Sequence, residues 1–588
     1  MTSFDRRTDR SALSPAARQA ALRRMGATAV GEELDILVVG GGVVGAGAAL
    51  DAASRGLSVG LVEARDWAAG TSSRSSKLIH GGLRYLEQLE LHLVTEALTE
   101  RGLMLQRLCP HLVRPVSFLY PLTHRGWERP YVGAGLVLYD TLGLGRGWGR
   151  GLPLHRHLTR RGVARVCPAL RPDAHVGGVR YWDAQVDDAR HTMTIVRTAA
   201  SLGVLAANRA QVVGLTRLGE RVTGAVVRDL ESGEELVVRA RRVVNATGVW
   251  TDDTQRLATD RGQVRVRASK GVHLVVPRDR IRSEVGLILR TETSVLFVIP
   301  WGRHWLIGTT DTDWDLDRAH PAASAADIDY LLGRLNAVLQ TPVTRDDIEG
   351  VYAGLRPLLA GESEATSRLS REHTVVTPVP GLVVVAGGKY TTYRVMARDA
   401  VDAAVHGLPA TVPASCTDRL PLVGAEGWPA VRNNAARLAA ESGLHPDRIE
   451  HLLGRYGALV RDLLELAADP SLAEPLPGEG ADDYLGAEVV YAVAAEGARH
   501  VEDVLARRTR ISFEAFDRGV GAAERVAGLM APLLGWDAER EAGEVAHYRA
   551  RVAAERRSQE AADDRTADAT RLDAPDVIPT VPLGAAGH

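Results

Sequence analysis

The sequence predicts an α/β protein in which a Rossmann-like dinucleotide-binding domain is interleaved with an antiparallel-sheet domain and followed by an all-α C-terminal domain. Three observations predict it. A glycine fingerprint lies between strand-like and helix-like runs at residues 35–63. Seven further strand-like runs are spread between Gln211 and Val385, more than one doubly wound unit would use. From about Asp418 onward strand candidates become scarce and long Ala/Leu/Arg segments at helical spacing take over.

Residues 1–30 mix Arg6, Arg7, Arg10, Arg18 and Arg24 with Asp5 and Asp9 and read as a solvated or loosely helical extension. They show no secretory apolar region or small-residue cleavage pattern. Ile36 to Val39 is an unbroken apolar run, as expected for a strand buried on both faces of a parallel sheet. Gly40, Gly42 and Gly45 then fit G-x-G-x-x-G. The first glycine permits a tight turn, the second a close approach to a pyrophosphate, and the third close helix–strand packing. A helix over about Val43–Arg55 would turn its N-terminal N–H groups on the phosphates. Leu57 to Val62 reads as the second strand, with Glu63 at its end to accept hydrogen bonds from ribose hydroxyls and repel a 2′-phosphate. This selects the adenosine of FAD or NAD over NADP and leaves those two open.

The remaining strand-like runs are Gln211–Leu215, Arg221–Arg228, Glu235–Val238, Val243–Asn245, Val272–Val276, Ser294–Ile299 and Leu382–Val385. They place the interleaved domain at roughly 116–180 and 264–345, within a cofactor domain of 31–415. Helices are predicted over Trp428–Gly443, Asp447–Ala468, Leu485–Arg508 and Phe516–Leu534, giving a helical domain over 416–555. The charged, then Pro- and Ala-rich residues 556–588 are expected to be disordered.

Composition narrows the function. The 588 residues suffice for two or three domains. Lys and Arg total 71 against 73 Asp and Glu, so no global basic field exists to hold nucleic acid, and only 5% of residues are aromatic. Cys109, Cys167 and Cys416 are widely spaced and form no C-x-x-C pair; this fits a reducing compartment and neither a disulfide framework nor a metal site. No apolar stretch is long enough to span a bilayer. A cytoplasmic location, or one peripheral to the inner face of the cell membrane, is expected. A homodimer stays open.

Several segments bear chemistry. Thr71 to Lys77 is a run of hydroxyls with two cations; Thr71, Ser72, Ser75, Ser76 and Lys77 could donate to phosphate or to ring acceptors. His80-Gly81-Gly82 brings backbone close to something flat or bulky. The strand ending in Ala246, Thr247 and Gly248 repeats the logic of the first. Val385-Ala-Gly-Gly-Lys-Tyr-Thr-Thr-Tyr-Arg394 adds Gly388, Lys389 and Thr391 at a helix start that can stabilise negative charge.

With these segments in order, the chain resembles the respiratory, FAD-dependent glycerol-3-phosphate dehydrogenases, within the D-amino-acid-oxidase-like flavoproteins. The signatures are Gly70-Thr-Ser-Ser-Arg-Ser-Ser-Lys-Leu-Ile-His-Gly-Gly-Leu-Arg-Tyr-Leu-Glu87, Val186-Asp-Asp-Ala-Arg190, Ile307-Gly-Thr-Thr-Asp311, Gly354-Leu-Arg-Pro-Leu358 and Gly387-Gly-Lys-Tyr-Thr-Thr-Tyr-Arg394. The resemblance is dense over about 33–400 and looser beyond. It implies non-covalent FAD and a small phosphorylated substrate bound by Arg84, Tyr85, Arg356, Arg371 and Lys389, since arginine's planar fork suits phosphate oxygens. Arg84 and Arg356 stand out because each lies inside an apolar, glycine-containing motif. The implied reaction removes the C2 hydroxyl proton and transfers the C2 hydride to the flavin, with His80, His273 and Lys389 as candidates for the base. Electrons would pass to a membrane quinone, or to O₂ in an oxidase of the same design. Tyr131 to Arg161, apolar with interspersed arginines, reads either as a peripheral membrane contact or as a buried helix followed by a basic loop.

Overall fold

The computed structural model describes residues 9–82, 90–144, 152–259, 262–291, 295–360 and 372–583. Two sheets organise it. The first has eight strands, with Leu382–Gly387, Glu235–Asn245, Leu34–Val39, Val59–Val62 and Leu205–Ala207 as neighbours in that order and all parallel. His373–Val379 closes one side antiparallel, and a hairpin of Ala210–Leu218 and Arg221–Asp229 joins Glu235–Asn245. On one face Ile36, Val38 and Leu61 are buried with the helices Val43–Ser54 and Tyr393–Val405, and on the other Leu37, Val39 and Val62 are buried with Leu22 and Met25, as a strand hidden on both faces requires.

The second sheet has ten strands and is mostly antiparallel. The long pair Val266–Pro277 and Gly350–Leu359 lies at one end of it, and Arg114–Leu122 and Gly177–Gln185 lie toward the other. The interleaved sheet therefore reaches further than the sequence predicted, to Gln185 and Leu359: the edge at 180 fell inside a strand, and the edge at 345 fell in the turn just before one. Glu235–Val238 and Val243–Asn245, expected as two strands, are one.

Trp428 to Leu534 is helical, with two apolar clusters of its own, but every long predicted helix is shorter or interrupted. Gly457 divides the second, with Pro446–Tyr456 before it and Val460–Leu466 after it.

Both termini depart from expectation. Pro15–Ala27 is a packed helix: Ser14 Oγ caps it at Ala17 N, Met25 is fully buried, and Arg18 pairs with Asp229 at 2.5 Å. Residues 556–583 were expected to be disordered, yet Ala538–Ser558 and Asp564–Arg571 are helices. Their charges, which suggested solvent, find partners instead: Asp564 meets the buried Lys270 at 2.5 Å and Asp576 meets Arg65 at 2.8 Å.

Candidate cofactor and substrate site

Val39 pairs in register with both Val62 and Asn245, and Asn245 with Val384, so Gly40, Glu63, Ala246 and Val385 leave the sheet along one edge. Ligands of open α/β sheets bind off such carboxyl ends, where the strand order reverses. A cavity of about 800 Å³ opens there and continues to the second sheet at Gly271, His273 and Arg356.

The glycine loop is shaped as the sequence required. Gly40 has φ +112°, and a Cβ on it would lie 2.6 Å from the Ala246 carbonyl oxygen. A Cβ on Gly45 would lie 1.9 Å from the Gly40 oxygen, so Gly45 sits behind the cavity and serves packing. The helix that follows has Gly42 as N-cap and therefore no capping side chain of its own. Ser72 Oγ accepts from Val43 N at 2.9 Å, and Gly42, Val43 and Val44 line the cavity. The positive end of the helix faces a space suited to a pyrophosphate.

Glu63 lines the cavity at the end of its strand. Its carboxylate accepts from Gly41 N at 2.6 Å and Arg65 N at 2.7 Å; burial pushes its pKa up, and these bonds act against that.

The hydroxyl run divides. Thr71, Ser72, Ser75 and Ser76 line the cavity, but Thr71 Oγ1 donates to Leu355 O (2.6 Å) and Ser75 Oγ to Asp188 (2.7 Å). Lys77, expected at the cofactor, turns away. Its ammonium is fully buried, 2.9 Å from Asp188 and 3.1 Å from Ser73 O, and burial drives its pKa down to about 8. With φ +57° at Lys77 the chain directs this side chain to the interior and not to the ligand. The run's other cation, Arg74, lines the cavity instead and donates to Ala319 O at 2.9 Å. Burial lowers its pKa to about 10. Its place among the hydroxyls was the signal that could have found it.

His80, Ala246, Thr247, Gly248, Gly388, Lys389 and Thr391 also line the cavity. The His80 backbone N–H donates to Thr391 Oγ1 at 3.2 Å, which ties the two loops together. His273 is 2% exposed, stacks on Tyr352 at 4.8 Å, and bonds Ser76 Oγ through Nε2 at 2.8 Å. Burial, with Arg356 and Lys77 nearby, pushes its pKa well below the ordinary histidine value. Arg356 is held by Ser269 Oγ, Asp311, Thr309 Oγ1 and Thr310 O at 2.9–3.3 Å, which fixes the plane of its guanidinium. Arg84, Tyr85 and Arg371 lie outside the described residues. Trp250 and Arg318 line the cavity without having been anticipated, as do Thr580, Val581 and Leu583 from the far end of the chain.

A parallel sheet that ends on a glycine cradle, with a second sheet closing the cavity, defines a dinucleotide-dependent oxidoreductase. The chain belongs to the FAD dependent oxidoreductase family, which matches residues 35–402, and the C-terminal domain of alpha-glycerophosphate oxidase matches residues 415–541. Glycerol-3-phosphate dehydrogenase 2 of Mycobacterium tuberculosis H37Rv is 59% identical over 578 residues, 97% of each chain. The human mitochondrial glycerol-3-phosphate dehydrogenase is 35% identical over 86% of this chain and 71% of its own length. Among solved structures, the glycerol-3-phosphate dehydrogenase of Bacillus halodurans complexed with FAD superposes with a TM-score of 0.74 at 29% identity, covering 92% of this chain and 97% of that one. FAD is thus the cofactor, and the cradle at Gly40, Gly42 and the helix start at Val43 fits its pyrophosphate.

Proposed function

We propose that the protein oxidises sn-glycerol 3-phosphate to dihydroxyacetone phosphate and passes the electrons to a membrane quinone. The observation that carries this reading is one continuous cavity in which the cofactor cradle runs directly into a cluster of His80, His273, Arg356 and Lys389. The glycerol-3-phosphate dehydrogenases of mycobacteria that match almost the whole chain support it.

FAD supplies the hydride acceptor. Arg356, its fork pre-set by Asp311 and Ser269, holds the substrate phosphate together with Arg84, Tyr85, Arg371 and Lys389. His80 takes the proton from the C2 hydroxyl: it is partly exposed to the cavity, whereas His273 is buried and depressed so far that it is a weak base. His273 with Ser76 instead positions the wall of the site. The flavin is held non-covalently, as the resemblance implies, although His80 and His273 line the cavity; acid precipitation should leave the yellow colour in the supernatant, and colour that stays with the protein would overturn this.

The quinone reading rests on the helix Glu128–Leu144. Its inner face buries Leu136 and Tyr139, and the Tyr139 hydroxyl accepts from Gly81 N at 2.8 Å, beside His80. Its outer face exposes Tyr131 and Leu138, seven residues apart, with the exposed Trp127 just before the helix and the exposed Arg156, Arg160 and Arg161 following in sequence. Aromatic and apolar side chains near cations suit a monotopic contact with anionic lipid on the inner membrane face. Among the described residues no helix is long and apolar enough to cross a membrane. Use of O₂ is a second reading, favoured by the C-terminal match to alpha-glycerophosphate oxidase.

The test is anaerobic addition of glycerol 3-phosphate to the purified yellow protein. The flavin absorbance should bleach and return with a quinone analogue faster than with O₂. Bleaching by an amino acid and not by glycerol 3-phosphate would reject the substrate; faster return with O₂ would reject the quinone.

A further inference from the structure

The segment after the last helix runs back across the molecule to the cofactor cavity. It starts from an anchored turn, in which Arg571 Nη1 donates to Ala574 O at 2.9 Å. Asp576 then reaches Arg65 Nε at 2.8 Å and His320 Nε2 at 3.1 Å. Farther on, the Gln211 carboxamide grips the backbone of Val581 from both sides: Nε2 donates to Val581 O at 2.7 Å and Val581 N donates to Oε1 at 2.8 Å. Thr580, Val581 and Leu583 thereby form part of the cavity wall.

The wall they build lies at the Glu63 end. Ala210, next to Gln211, donates its N–H to Glu63 O at 2.8 Å, and Arg65, which holds Asp576, is the residue whose N–H meets the Glu63 carboxylate. The Arg65 guanidinium also lies 5.3 Å over the Trp250 ring, another wall residue. Glu63 marks the ribose end of the cradle, so the tail covers the adenosine half of the cavity. A side chain that satisfies both polar groups of one distant backbone unit is a specific docking contact, because each of those groups would otherwise need water. The segment lies beyond both regions matched by the family domains, which end at 402 and 541.

We propose that residues 574–583 are a structural part of the FAD site, a strap clamped by Gln211 and Arg65 that holds the adenosine end of the cofactor and slows its release. The claim concerns FAD alone and does not depend on which substrate is oxidised, so anaerobic bleaching and flavin release can fail separately.

The experiment follows flavin fluorescence after dilution of full-length holoenzyme carrying Gln211→Ala or Asp576→Asn, and of holoenzyme shortened to end at Ala574. Release should be at least about tenfold faster than in the parent for Gln211→Ala, as expected when two hydrogen bonds that hold the cover are lost. Hydrogen exchange across 574–583 should slow when FAD is added in excess. If the shortened chain does not fold, the two point variants, checked for unchanged far-ultraviolet dichroism, decide. Parent-like release in both of them, or exchange in the strap that is indifferent to FAD, would overturn the proposal.

Discussion

Arg508 and Asp66 form a bidentate ion pair, Nη1 to Oδ2 at 2.6 Å and Nη2 to Oδ1 at 2.7 Å, with both side chains buried. Asp66 belongs to the turn after Glu63, and Arg508 to the helical domain 442 residues later. Arg507 joins from the same segment at 2.5 Å. The helical domain thus holds the loop that shapes the adenosine end of the cofactor site. Breaking a buried pair by removing one partner costs about 3–5 kcal/mol, because the other charge stays buried. Asp66→Ala should destabilise the protein by about that amount, since it strands Arg508; Arg507 keeps Asp503 at 2.6 Å. Arg507→Met should cost less than Asp66→Ala, as the pair with Arg508 remains. Urea unfolding of the holoenzymes checks the order, and equal midpoints would refute it.

Gly45 cannot accept a side chain. A methyl there would meet the Gly40 carbonyl oxygen at 1.9 Å, and that oxygen belongs to the loop itself. Gly45→Ala should yield protein without bound flavin, read as loss of the 450 nm band. Gly56→Ala is the control: with φ +87° but nothing within 4 Å, it should cost only about 1 kcal/mol and keep its flavin.

Arg356 is held in a plane by four acceptors, which a lysine ammonium cannot reproduce. Arg356→Lys should raise KM for glycerol 3-phosphate by roughly 10- to 100-fold, in line with the strength of charge-assisted bidentate contacts. The effect on kcat should be smaller, because phosphate binding is shared by ground and transition states. An unchanged KM would remove Arg356 from the phosphate site.

The cofactor half of the site was legible in the sequence because its demands are local. Gly40, Gly45 and Glu63 each answer a geometric need within one strand–helix–strand unit. The misreadings arose where distant charges decide. Lys77 and Arg74 are three residues apart in the same polar run, and nothing local says that Asp188 will take the lysine inward. Asp187 and Asp188, quoted only as part of a signature, are tied to Arg510 at 2.5 Å across more than 300 residues. Residues 556–583 looked disordered for the same reason: their charges are unfavourable to burial until Lys270, Arg65 and His320 are placed beside them.

Glu488 offers a test of the helical domain by pH. It is 1% exposed, accepts from Leu485 N at 2.9 Å and Tyr456 OH at 3.0 Å, and lies 3.2 Å from His451 Nε2. Burial alone would raise its pKa, but the neighbouring His451 and Arg455 and the Leu485 backbone N–H outweigh it and hold the carboxyl at about 2. The unfolded chain has the ordinary value, about 4.3. With the folded value below the unfolded one, the ionised carboxylate stabilises the fold in full above the unfolded pKa, and this contribution fades as pH falls from there toward 2. The shift corresponds to about 3 kcal/mol at neutral pH. Glu488→Gln should therefore lose about 3 kcal/mol at pH 7 relative to the parent, and the gap should narrow steadily below about pH 4 as the parent's own carboxyl protonates. Denaturant unfolding of both proteins at neutral and acidic pH measures this, and a gap that stays constant across the range would refute the assignment.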